Sequence, residues 1–315
     1  MKKALVPMIV AFSFLFAACS TDAVTQSPYI VGVTEYVYGV GQHAQLVSEG
    51  EEENLIGATT NYVRLGGWGG YITGRFDHSV VNQEAEHDGY DLAIYPQGGA
   101  GNEPAVIYVM SDTNENQKAD DVWYQIKGSE YDSQQTVTVR YYKNEDSEGS
   151  IFYTIDGVSD DSYILTASES YNGPSSLWWW PFYDTLDFES IEGASAGDDE
   201  KGTYISFTAV MLPDSKEFSG TSWIDIPDRF LYGYGENYGG EDYHLVPFGK
   251  SEKMANLIDI SDAVDDKGDD VYLPSIDFIK IQTGVFQVCG DLNEISSEIA
   301  AVADLSMLGD EWELE

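Results

Sequence analysis

Ser275-Ile276-Asp277-Phe278-Ile279-Lys280-Ile281-Gln282-Thr283 is the stretch that decides the fold class. Polar and apolar residues alternate along it, with the apolar ones gathered on one side. That is the two-residue period of a half-buried strand. The same alternation recurs in Thr136–Tyr142 and in Thr203–Thr208. Tyr29–Tyr38 is β-branched and aromatic, and Ala93–Tyr95 and Ala105–Met110 read as short, well-buried strands. Turns rich in Gly, Asn and Asp separate these runs. A segment near Lys253–Ile260 is expected to form a turn or two of helix, and no fixed-period repeat is present. Many short strands with frequent turns predict an all-β protein, an antiparallel β-sandwich or jelly roll. No Pro/Ser-rich linker divides the body, so one domain is expected over 28–305, with an acidic tail over 306–315.

Composition narrows what such a body can do. The chain holds 55 acidic and 15 basic residues, a formal charge of −40. That surface repels nucleic acid, which is bound by Lys and Arg against phosphate. It favours solubility and cation binding, and a salt-rich habitat is one origin for it. Disorder is not its origin, because hydrophobic residues make up 43% and aromatics 13% of the chain.

The start of the chain reads Met1-Lys2-Lys3, then an apolar run from Ala4 to Phe16, then Ala17-Ala18-Cys19. Charged, apolar and small-residue parts in this order form a secretory signal. Phe16-Ala17-Ala18-Cys19 looks like a bacterial lipobox, with Phe16 where leucine is preferred. Residues 1–18 are therefore expected to be removed, Cys19 to be lipidated, and 19–27 to serve as a short polar tether. This places the body at the outer membrane, held through its lipid anchor, with the cell surface favoured over the periplasmic face. After lipidation only Cys289 remains, read as a small buried hydrophobe.

Three constellations carry candidate chemistry. Asp112, Asn114, Asn116, Lys118, Asp120 and Asp121 place oxygen groups at alternating positions and then close with carboxylates. A hard cation such as Ca2+ needs a wrap of this kind, and Lys118 would lend its backbone carbonyl. Gln117 stands where a calcium loop prefers glycine, and Trp123 where it prefers glutamate. The plain alternative is a solvated acidic loop with Asx turns. A second acidic cluster, Asp262, Asp265, Asp266, Asp269 and Asp270, reads as a charged loop. Trp178, Trp179 and Trp180, followed by Tyr183, cannot all face one side of a strand. They form either a lid over the sandwich end or a platform for a sugar ring or flat macrocycle. Tyr234 and Tyr238 are a candidate second wall for that ligand. Gly66-Gly67-Trp68-Gly69-Gly70 lacks the lysine and helix of a phosphate loop and reads as close backbone approach around a core Trp68. Asp77-His78 has no nucleophile motif beside it. The four histidines lack zinc-ligand spacing.

Four segments, Ser27–Gln42, Leu65–Val80, Glu103–Tyr131 and Ser275–Val285 followed by Asn293–Ile299, resemble a family of Bacteroidetes cell-surface lipoproteins, often described as cell surface or PKD-domain-containing proteins. A separate PKD module is missing here. The resemblance implies a β-sandwich surface protein of a nutrient-capture or adhesion system, with an outer-membrane TonB-dependent transporter as a partner. The expectation is a calcium-stabilised, non-catalytic lipoprotein that binds an extracellular small molecule or glycan, with glycans and corrinoid-type compounds as cargo. The rivals are a glycan-cleaving hydrolase, which needs two carboxylates roughly 5–10 Å apart in a cleft, and a structural or adhesive surface protein.

Overall fold

The computed structural model describes residues 25–41, 47–83, 87–98, 102–142, 150–156, 163–166, 193–289 and 293–309. Among these residues the chain is all β, with short 3₁₀ turns and no α-helix. A seven-stranded central sheet runs Gly32–Val37, Tyr71–Val81, Ser275–Thr283, Ala105–Met110, Tyr124–Ile126, Ala263–Val264, with Tyr234–Gly235 also paired to Ala105–Met110. A five-stranded facing sheet runs Tyr243–Phe248, Ser251–Ile258, Leu92–Pro96, Glu298–Asp304, Val63–Arg64, so Tyr243–Phe248 is an edge strand. Neighbouring strands in both sheets run antiparallel.

Alternation builds the layers. Ile72, Phe76 and Val80 of Tyr71–Val81 turn inward with Ile107, Val109, Ile279 and Ile281. Against them the facing sheet presents Leu92, Ile94, Ile258, Ile299 and Val302. Each large apolar side chain buried between the sheets contributes roughly 1.5–3 kcal/mol. The facing sheet is apolar on its other side as well, where Ala93, Tyr95, Ala255, Leu257 and Ala301 meet Tyr29 and Phe248. This double burial explains a difference from the sequence reading. The expected helical turn near Lys253–Ile260 is instead the strand Ser251–Ile258. It is paired on one side to Tyr243–Phe248 and on the other to Leu92–Pro96.

A third sheet, ordered Ala194–Asp199, Gly202–Met211, Gln135–Tyr142, Ser150–Ile155, Tyr163–Thr166, packs its Val139, Tyr141, Ile205 and Phe207 onto Val37, Trp68 and Tyr71. Trp68 is buried, and its indole N–H donates to the Val210 carbonyl at 3.0 Å. The glycines around it allow backbone to lie on backbone. A Cβ on Gly67 would stand 2.2 Å from the Val40 carbonyl oxygen, and one on Gly70 would stand 1.9 Å from that of Leu65.

Candidate functional site

The two long central strands do not pair evenly. Ile276 lies opposite Val80, but Phe278 lies opposite Arg75. Phe76, Asp77, His78 and Ser79 therefore stand against the single residue Asp277. An insertion of this kind disrupts the ladder and re-aims side chains. It also corrects the simple alternation read from Ser275–Thr283. Ile276 faces the core on one side of the slip, and Ile279 and Ile281 face it on the other.

A pocket of about 760 Å³ lies over this break. Its walls are the slipped strand pair, the start of the Asp112 loop, and Leu273-Pro274. Asp277 ties its own strand to the slipped neighbour and to the loop. Its Oδ1 accepts from the Ser79 hydroxyl at 2.6 Å, and its Oδ2 accepts from the Asp112 N–H at 2.7 Å. The Ser111 hydroxyl donates to the Ser275 carbonyl at 2.5 Å, closing the seam. One end is tied to the facing sheet through His78, whose Nδ1 lies 2.9 Å from Asp77 and whose Nε2 lies 2.8 Å from Asp304. Burial works against the charge of Asp77, yet hydrogen bonds from His78 and the Ser27 N–H hold its carboxyl below the usual range.

The lining is rich in acceptors. Asp77, Asp112, Glu115 and Asp277 bring four carboxylates, against one guanidinium from Arg75. Ser79, Ser111 and Thr113 add hydroxyls, and the buried Phe76 and Phe278 back the cavity. Such a cavity favours a ligand that donates hydrogen bonds and disfavours an anion.

The candidate cation loop forms the outer wall. Its backbone curls back on the Asp112 carboxylate. Asp112 Oδ1 accepts from the Asn116 N–H at 3.0 Å, and Oδ2 accepts from the Gln117 N–H at 2.6 Å. Asp121 accepts from the Thr113 hydroxyl at 2.5 Å, and the Asn116 amide donates to Asp120 at 3.0 Å. The Asn114 amide donates to Asp121 at 3.1 Å. Lys118 donates its N–H to Asn116 Oδ1 at 2.8 Å. Gln117, at the position where glycine is preferred, takes φ 60°, and Glu115 takes φ 56°. The loop thus adopts the left-handed turns that a Cβ disfavours. Its acidic oxygens are bridged by amide donors, and no three of its carboxylates bring oxygens within 4.8 Å of one another.

Converging carboxylates occur elsewhere, at a place the sequence reading missed. Glu103, Glu236 and Glu298 each bring an oxygen within 4.8 Å of the others. They are far apart in sequence and meet because their strands end together. Glu236 is buried, accepts from the Tyr238 hydroxyl at 3.1 Å and from the Glu298 N–H, and takes φ 49°. Burial, with the Glu103 and Glu298 carboxylates beside it, pushes its carboxyl well up. Burial raises Glu298 to about 7, with Arg64 opposing. The group can hold a hard cation or share protons. It sits at the opposite end of strand Ala105–Met110 from the pocket, about 20 Å away at the rise of a β-strand.

The remaining sequence expectations divide clearly. Tyr234 is not a ligand wall: it is 1% exposed and packs edge-on to Phe230 at 5.2 Å. Tyr238 stays half-buried, its hydroxyl on Glu236 and on the Gly98 N–H at 3.2 Å. Cys289 is buried and its thiol is pushed up to about 12 by desolvation. In the second acidic cluster Asp265 accepts from the Lys267 and Asp269 N–H groups, the bonding of a polar turn. Cys19, Trp178, Trp179, Trp180 and Tyr183 lie outside the described residues.

Fold and site together define an antiparallel β-sandwich protein with an acceptor-lined pocket at a slip between two central strands. No protein-family model matches the chain, and no curated protein matches it in sequence.

Proposed function

We propose that this protein is a non-catalytic, lipid-anchored envelope protein that binds an uncharged, hydrogen-bond-donating extracellular ligand in the pocket over Asp277. The pocket itself carries the reading. Its volume lies in the range that takes a small-molecule ligand. Asp277 spends both oxygens on holding the walls together, the work of a receptor frame. Calcium at Asp112–Asp121 would stiffen the outer wall by replacing the amide donors between its carboxylates. Lipidation at Cys19 would keep the body on the outer membrane, where captured cargo passes to a transporter.

The glycan-cleaving alternative draws on Glu103, Glu236 and Glu298, since a carboxyl near 7 beside a second carboxylate suits acid–base work. Glu236, at 2% exposure, is sealed from a substrate, and binding is therefore preferred.

Two experiments test the proposal. Asp277→Asn should abolish ligand-induced shifts in intrinsic fluorescence seen with the wild-type protein; an unchanged titration refutes the pocket. Cys19→Ser should move the protein from the membrane to the soluble fraction; persistent membrane association refutes the anchor.

A further inference from the structure

The mouth of the pocket carries apolar side chains that the interior does not explain. Tyr272 is 72% exposed and immediately precedes Leu273 and Pro274, which line the pocket. Val81 is 54% exposed and pairs with Ser275, another lining residue. The two lie on one rim, because the Asn82 amide donates to the Leu273 carbonyl at 3.0 Å and the Asn82 N–H donates to that of Pro274 at 3.0 Å. Val122, 62% exposed, follows Asp121 at the end of the loop that forms the other wall. Exposed apolar side chains are unremarkable singly, but grouped at a polar cavity they extend its binding surface.

We infer that the ligand is a neutral oligosaccharide chain, with its first two units in the acceptor-lined pocket and the next ring stacked on Tyr272. Sugar hydroxyls donate to Asp77, Asp112, Glu115 and the serine oxygens, and accept from Arg75. The apolar face of the outer ring suits Tyr272, which is open to solvent. Four carboxylates at the pocket, in a chain of net charge −40, exclude uronate-bearing and sulfated chains by repulsion. A single sugar engages only the pocket, so affinity rises with chain length until the rim is covered. The inference rests on the pocket being the binding site and adds the class and length of its occupant.

The test is an array of neutral, uronate-bearing and sulfated oligosaccharides, each as disaccharide and hexasaccharide, read with the full-length protein and three variants. The wild type should retain neutral hexasaccharides above disaccharides and reject the acidic series. Tyr272→Ala should weaken neutral hexasaccharides by about tenfold and leave disaccharides unchanged, as for loss of one aromatic contact. Asp277→Asn and the milder Ser79→Ala should weaken both lengths, with thermal unfolding checked for each. Retention of acidic chains, no retention of any neutral chain, or a Tyr272→Ala variant that treats both lengths like wild type overturns the inference. Binding untouched by Ser79→Ala and Asp277→Asn overturns the pocket reading itself.

Discussion

Asp277 shows how much one carboxylate can organise. It accepts from a hydroxyl on one strand and from the first N–H of a loop, and so ties the two segments together. Hydrogen bonds to a charged group each contribute about 1.5–3 kcal/mol when well formed. Asp277 is half-buried, so Asp277→Ala should cost roughly 1–3 kcal/mol in urea unfolding. Asp277→Asn keeps the shape but offers a single acceptor oxygen, and should fall between wild type and alanine. Equal midpoints for all three would refute the rivet. The glycines beside Trp68 make a steric counterpart. Gly67→Ala would drive a methyl group against the Val40 carbonyl, and a loss of roughly 1–3 kcal/mol is expected from the same measurement.

At the scale of elements, the Asp112–Asp121 loop is the segment that an ion would change most. Calcium should raise the melting temperature of the wild type and leave Asp112→Ala and Asp120→Ala unmoved; equal increments in all three would remove calcium from the loop. Gln117 holds a left-handed conformation at φ 60°. Gln117→Gly removes that strain, of order 1 kcal/mol, and should sharpen the calcium response. The loop was legible in the sequence because its spacing is local. The slip that opens the pocket was not, although its trace is present. Phe278 and Ile279 are adjacent apolar residues in a strand of otherwise strict alternation, and the phase changes between them. Ser251–Ile258 was misread for a related reason: both of its faces are covered toward its end, so no clean period of two survives. The Glu103, Glu236 and Glu298 group could not be read at all, since only the closure of the two sheets brings the three together.

Across the whole molecule, acidity and burial combine to set how stability follows pH. Asp91 is buried and accepts from the Gln83 and Ile260 N–H groups, yet desolvation raises its carboxyl to about 7. Desolvation also raises Asp242 to about 7. Between the ordinary carboxylate range and about 7, the native state holds protons that the unfolded chain has released. The stabilisation is therefore full at the acidic end and is lost as pH rises through about 7. Relief of self-repulsion in a chain of charge −40 acts in the same direction. The melting temperature should climb from pH 8 to pH 5, and Asp91→Asn together with Asp242→Asn should flatten that climb. A wild-type maximum at pH 8 would contradict the assignment. One strand has a consequence for how many copies can share a surface. Among the described residues Tyr243–Phe248 closes the facing sheet with no strand on its outer side, where Leu245 is exposed. Such borders invite a second chain to zip on. Pro247 removes one amide hydrogen from that row, which makes the border a poorer template on which a neighbour could zip.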